Sequence, residues 1–301
     1  MGPGAGLPSS KWIARAAKWF EDSFTPNLNL VYLPHLDYNL QRLGPDHPSI
    51  ADDLQQIDAV AEDLVSFLEN KGVEVIILSE YGITPVHQPI HINRELRKKG
   101  WICCREELGR EQIDLGNCKA FSISDHQLAH IYVLDSPLVN EVKDVVENLP
   151  GVSRVLAGKE IEEAGLLHER SGDLVAVSEE DRWFTYYYWD DDSRAPDFAR
   201  CVDIHRKPGY DPVELFLDPA LSFPKVKIGA KLLSKKLGFR YLMNLIPLNP
   251  DLVKGSHGCI PKSDEDYPVL IGNFSELKGG ETIPATEVFQ HLLQSAKHEN
   301  K

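Results

Sequence analysis

The strongest periodic signal runs from residue 49 to residue 70 (SIADDLQQIDAVAEDLVSFLEN). There Ile50, Leu54, Ile57, Val60, Leu64, Phe67 and Leu68 recur at intervals of three and four before Gly72 ends the pattern. This is an amphipathic helix. A second helical pattern covers residues 11–20 (KWIARAAKWF), with Ser9 or Ser10 placed to cap it. Short apolar runs read as strands at 28–33, ending at Pro34, and at 73–78, which is almost continuously apolar. A run of that kind suits a strand buried on both faces of a parallel sheet. Strand, helix, strand in this order is a βαβ unit, which brings ligands to the C-terminal ends of its strands. Those ends carry Asp37 in LPHLDY and Glu80-Tyr81 in LSEYG, so two carboxylates are expected to share one crevice. Two acids on one edge suit metal binding or acid/base work.

Beyond Pro89 the pattern turns α+β. Helices are expected at 93–99, 137–148 and 159–164, and strands at 101–105, 120–123, 129–134, 152–156 and 173–177. Together they suggest a small lobe over about 100–180. The aromatic run Trp183-Phe184-Thr185-Tyr186-Tyr187-Tyr188-Trp189 leads through Asp190-Asp191-Asp192 into a proline-punctuated stretch reaching residue 225. The acidic triplet reads as a solvated turn, and Lys231–Lys236 (KLLSKK) as an ordinary amphipathic helix face. No solenoid-type repeat is present, and a terminal helix is expected over 286–296.

Composition narrows the function. A chain of 301 residues with 42% hydrophobic residues can build a large core. Its formal net charge of −14 and scattered basic residues argue against a nucleic-acid polymer as partner. Five cysteines, Cys103, Cys104, Cys118, Cys201 and Cys259, form no CxxC pair, which excludes a sequence-evident zinc cluster and fits a reducing, cytoplasmic compartment. No apolar run reaches the ~20 residues of a bilayer span, so no membrane is expected as partner.

Three loops, in order, carry a resemblance. LPHLDYNLQRLGP, with Asp37 followed four residues later by Gln41, then Ser79-Glu80-Tyr81-Gly82, then Gly255-Ser256-His257-Gly258, resemble the strand-end Asp, the Ser-Asp-His-Gly loop and the Gly-rich His loop of the type I phosphodiesterase/nucleotide pyrophosphatase family. That family belongs to the alkaline phosphatase superfamily. The likeness is closest to a bacterial-type subgroup sharing LPHLDY, SEYGITP, the RWFTYYYW-like run, DIHRKPGYDPVELFLDP and GSHG, and it covers most of residues 1–272.

The resemblance implies an α/β fold with an alkaline-phosphatase-like, mostly parallel sheet flanked by helices and a small α+β lobe. It implies a partial domain over 1–272 and a tail over 273–301. It implies metal-assisted phosphoryl transfer on a small phosphorylated substrate, with divalent metal, zinc first and manganese or magnesium as alternatives. Carried over residue by residue, Asp37, Glu80 and His257 become metal ligands, with Gln41, Asp203 and His205 as weaker candidates and Tyr81 as a catalytic candidate. The chain departs from the family at Gln41, where His is expected, and at Glu80-Tyr81, where Asp-His is expected. The nucleophile and first metal-binding Asp are expected in an N-terminal portion that precedes residue 1, or in a pairing chain that supplies it. The sequence therefore supports two readings: a metal-dependent phosphoester hydrolase, with activity in this truncated chain left open, or a noncatalytic ligand-binding or scaffold pseudoenzyme. His126 and His130, four apart beside Asp125, lie among β-formers and read as structural.

Overall fold

The computed structural model describes residues 2–272 and 279–298. Its α-helices are α1 (Leu7–Phe24), α2 (His35–Leu43), α3 (Ile50–Glu69), α4 (Ile92–Lys98), α5 (Val139–Glu147), α6 (Lys159–Glu163), α7 (Pro224–Lys236) and α8 (Val288–His298). The strands are β1 (Ile77–Leu78), β2 (Thr84–Pro85), β3 (Gln88–Ile90), β4 (Cys104–Glu107), β5 (Arg110–Ile113), β6 (Ala120–Asp125), β7 (Leu128–Val133), β8 (Val152–Ala157), β9 (Leu174–Ser178), β10 (Arg182–Phe184), β11 (Gly255–Ser256) and β12 (Leu270–Ile271).

The largest sheet has the order β6-β7-β9-β8 and is antiparallel throughout. Its strands alternate as a half-buried sheet requires: Ala129, Ile131 and Val133 of β7 point inward. Val142 and Val146, one helical turn apart on α5, are fully buried in the same core, as is Leu96 of α4. The aromatic run enters this core as β10 and continues without further strand pairing, and Phe184 to Trp189 are buried along its whole length. A second cluster joins Ala14 and Ala17 of α1 to Val60, Leu64 and Leu68 of α3, the stripe read from the heptad-like spacing.

The expected mostly parallel sheet is not what forms. Among the described residues the sheets are short and mostly antiparallel, and only β3 and β10 run parallel as a strand pair. Residues 28–33 are extended without a ladder, and Leu28, Leu30 and Tyr32 face solvent. In 73–78 only β1 pairs, antiparallel to β12, and both of its residues are exposed. Strand propensity needs a hydrogen-bonding neighbour to be realised, and these segments have none along most of their length. The first helix also begins earlier than its serines suggest. Gly6 precedes it, Pro8 occupies its first turn, and Ser9 Oγ donates back to the Gly6 carbonyl at 2.7 Å.

His91, between β3 and α4, ties two layers together. Its Nδ1 lies 2.7 Å from Thr185 Oγ1 and its ring stacks on Tyr187. Burial, helped by the nearby Arg94 charge, pulls its pKa down to about 4. The unfolded chain, titrating near the ordinary 6.5, takes up the proton first as pH falls. The His91 contribution is therefore complete above pH 6.5 and lost as pH falls toward 4. Replacing His91 by Asn should flatten the decline of the urea midpoint across that window, measured by far-UV circular dichroism; an unchanged decline would exclude His91 as its source.

Candidate functional site

The crevice is assembled by α2, the loop after β1, the β6–β7 hairpin turn and the loop after β11. Asp37 sits in the first turn of α2, where a carboxylate suits the helix N-terminus, and Gln41 follows one turn later on the same face. Gln41 Nε2 donates to Asp37 Oδ1 at 2.9 Å, and Tyr81 O–H donates to the same oxygen at 3.1 Å.

The Tyr81 ring lies face to face on His257, with centroids 3.6 Å apart and planes 6° from parallel. His257 meets His126 at 3.9 Å, and His126 stacks on Tyr210 at 4.4 Å. Four rings contributed by four separate loops thus form one continuous column.

Close backbone approaches set this geometry. A Cβ on Gly255 would lie 2.2 Å from the Leu40 carbonyl oxygen, so only glycine lets β11 seat against α2. A Cβ on Gly82 would lie 1.6 Å from the Asp266 carbonyl oxygen, which fixes the loop carrying Tyr81 against the 264–266 turn. Lys254 N–H donates to the Gln41 carbonyl at 2.8 Å, and Gln127 N–H to the His257 carbonyl at 2.9 Å. The Gln127 side chain bonds Thr84 Oγ1 and the Glu180 and Arg182 carbonyls, which locks the hairpin turn to β2 and β10. Tyr210 arrives because its N–H donates to the Ser124 carbonyl at 2.9 Å.

The electrostatics favour uncharged forms. Burial raises the Asp37 carboxyl above its usual range, opposed by the hydrogen bonds from Gln41 and Tyr81. Burial, reinforced by the Asp37 charge, raises the Tyr81 phenol far out of reach of physiological pH, so it is a donor. Burial lowers His257 to about 4 and pulls His126 well below the ordinary histidine value, with His257 nearby adding to the effect. Both imidazoles are neutral at pH 7.

The structure brings together Asp37, Gln41, Tyr81 and His257. Glu80 points to solvent at the rim. Asp203 and His205 lie apart from the crevice: Asp203 faces Arg206 at 4.0 Å and His205 is exposed. Among the described residues no three His, Cys, Asp or Glu side chains are grouped closely enough to hold a metal ion. The Asp37, Glu80 and His257 set is therefore not assembled, since successive side chains on the 80–81 turn diverge and Tyr81 takes the inward position. His126, which reads from the sequence as structural, and Tyr210, which carries no sequence signal, both enter the ring column. His126 occupies the two-residue hairpin turn at φ 57°, a left-handed position where His is tolerated better than most residues. A histidine at the tip of SDHQ between two β-patterned runs was the available signal.

This is a mixed α/β chain whose loops converge on a partly buried cluster of hydrogen-bonding and aromatic side chains. Residues 8–211 match the family model described as type I phosphodiesterase/nucleotide pyrophosphatase, and the chain belongs to that family. An uncharacterized pyrophosphatase/phosphodiesterase of Schizosaccharomyces pombe is 34% identical over 77 residues, 24% of this chain and 16% of that protein. Among solved structures, murine ectonucleotide pyrophosphatase/phosphodiesterase 5 is similar at 21% identity over 63% of this chain and 47% of its own, with a TM-score of 0.44. Phosphonoacetate hydrolase from Sinorhizobium meliloti, solved with phosphonoacetate, is similar at 18% identity over 60% of this chain and 44% of its own, also with a TM-score of 0.44. The chain thus spans less than half the length of each of these proteins over the matched regions.

Proposed function

We propose that this chain is a phosphoester-hydrolase-like protein whose crevice recognises a small phosphorylated ligand through neutral hydrogen-bonding groups, without a paired-metal centre. The observation that carries this reading is the convergence of Tyr81 O–H and Gln41 Nε2 on one oxygen of Asp37, beneath the stacked His257. Family membership supports the ligand class.

The divalent metal implied by the family does not fit these residues. Zinc selects imidazole nitrogen, thiolate and carboxylate lone pairs. Here an amide and a protonated phenol stand where imidazoles are expected, and both spend a proton on the carboxylate oxygen that a metal would need. The same arrangement suits an anion better than a bare carboxylate would. A carboxyl held toward its neutral form repels phosphate less, while the neutral imidazole of His257 carries an N–H that a phosphate oxygen can accept.

Purified chain, dialysed without chelator, should carry well under one equivalent of zinc, manganese or magnesium by elemental analysis. It should bind AMP by calorimetry with an affinity unchanged by chelator, and weaken about tenfold or more on His257→Ala, the loss of a hydrogen bond to a charged group. Retention of about one equivalent of metal, released by Asp37→Ala, would overturn this reading in favour of a metal-dependent hydrolase; turnover of a chromogenic phosphodiester on adding zinc would do the same.

A further inference from the structure

A second feature lies outside the crevice and is independent of the function proposed for it. Residues 218–245 leave the body as an arm closed at its base, where Asp218 N–H donates to the Leu245 carbonyl at 2.8 Å and Ile246 N–H to the Arg200 carbonyl at 3.1 Å. Phe223, in a left-handed conformation, turns the chain into α7. None of the α7 residues is buried.

The covered side of this helix is not its apolar side. The residues that are only partly exposed are Pro224, Lys227, Ile228, Lys231 and Ser234, which share one face. Val226, Ala230, Leu233 and Leu237, spaced at four, three and four residues, form a continuous stripe on a different face. That stripe faces solvent, with Val226 70%, Leu233 57% and Leu237 62% exposed. Phe223 and Phe239 extend it at both ends and are exposed as well. Isolated exposed leucines are ordinary, but an aligned apolar stripe closed by two aromatic rings marks an interaction surface.

Charge identifies what would cover it. Between Pro219 and Asn244 the chain has Lys225, Lys227, Lys231, Lys235, Lys236 and Arg240 and no acidic residue, in a protein whose formal net charge is −14. Arg240 is held by Asp197 at 3.0 Å, whereas none of the five lysines has an ion-pair partner among the described residues. Lys225 and Lys236 border the apolar stripe on one side and Lys227 on the other, from the helical spacing of 100° per residue. A second copy is disfavoured as the occupant, because a two-fold contact sets the patch against itself and opposes these lysines to each other. An apolar stripe between rows of lysine, with phenylalanines at its ends, is the composition of a helix that lies in a membrane interface.

We propose that the 218–245 arm is a peripheral membrane-binding element, in which α7 lays its Val226–Leu237 stripe into an anionic lipid surface. No helix among the described residues is long and apolar enough to cross a membrane, so the contact is one of lying on the bilayer. Each lysine near an anionic surface adds to the attraction, and the attraction is screened by salt.

The test is co-sedimentation of the full chain with phosphatidylserine-containing vesicles and with pure phosphatidylcholine vesicles. The partition coefficient should be higher by about tenfold or more on the anionic vesicles and fall by about tenfold at high salt. Leu233→Glu should abolish binding, and the Lys225→Glu/Lys227→Glu/Lys236→Glu variant should remove the preference for anionic lipid. Both substitutions fall on exposed or half-exposed positions, so unchanged far-UV circular dichroism should confirm that each variant is folded. Equal binding to both vesicle types, or binding to neither, overturns the proposal. So does a lipid-free dimer in sedimentation velocity that Leu233→Glu dissociates, since a second copy would then be the occupant. Capture by a polyglutamate peptide as strong as capture by vesicles would assign the arm to an acidic protein instead.

Discussion

Lys207→Met should destabilise the folded chain by about 3–5 kcal/mol, the largest effect expected of any single substitution considered. Lys207 Nζ lies 2.8 Å from Asp211 Oδ2 and 2.8 Å from Glu214 Oε1, and the three side chains are almost completely withdrawn from water. The two carboxylates have other duties: Asp211 Oδ1 accepts the Val213 N–H that opens a 3₁₀ turn, and Glu214 Oε1 accepts the Asp203 N–H. Methionine fills the lysine stem but leaves two like charges buried together with no cation between them. In a chain of 301 residues a loss of that magnitude lowers Tm by about 5–8 °C.

The mechanism is separable from simple loss of packing. In Asp211→Asn/Glu214→Gln the backbone contacts survive while the charges go, so adding Lys207→Met to that pair should cost much less than it does in the parent. Equal costs in both backgrounds, read from urea midpoints, would show that packing and not charge is responsible. The substitution should also reach the crevice. Tyr210, stacked on His126, lies between Lys207 and Asp211 in the chain, and the lysine ammonium sits 5.8 Å from the centre of the Tyr186 ring.

The second large effect is a gain. In Gln41→His/Tyr81→His, two proton donors are exchanged for neutral imidazole nitrogens around a carboxyl that both had been bonding. The expected result is a tightening of zinc binding by about two orders of magnitude, or about 2.7 kcal/mol, with about one equivalent retained per chain. Elemental analysis and competition against a chromophoric chelator measure both quantities. Adding Asp37→Asn should reverse the gain. A folded double variant that stays metal-free would mean the crevice lacks the geometry of a metal centre as well as its ligands, and would remove the view that Gln41 and Tyr81 stand in former ligand positions.

These outcomes bear on what the sequence discloses. The helix α3 was legible because twenty residues of one stripe leave no other period, and the antiparallel strands β6 to β9 because their alternation is local. Residues 28–33 and 73–76 read as strands on apolar composition alone. Whether they pair depends on a neighbour that composition does not specify. At the crevice, Asp37, Tyr81 and His257 were recognisable from the order of three short motifs. His126 and Tyr210 were not, because each acquires its place through contacts across more than eighty residues: Ser256 Oγ lies 3.4 Å from His126 Nδ1, and Tyr210 is held by the Ser124 carbonyl. The exposed setting of α7 was equally hidden, since its apolar spacing would serve a core helix just as well.

The buried aromatic run also gives the molecule a built-in optical division. Of its five tryptophans, Trp101, Trp183 and Trp189 are enclosed, whereas Trp12 and Trp19 on α1 are 64% and 57% exposed. A collisional quencher such as acrylamide reaches the second pair and is shielded from the first three. The emission therefore separates into a blue, protected component reporting the cores around the run and a red, quenchable one reporting α1, so fraying at one end of the chain can be followed apart from global unfolding.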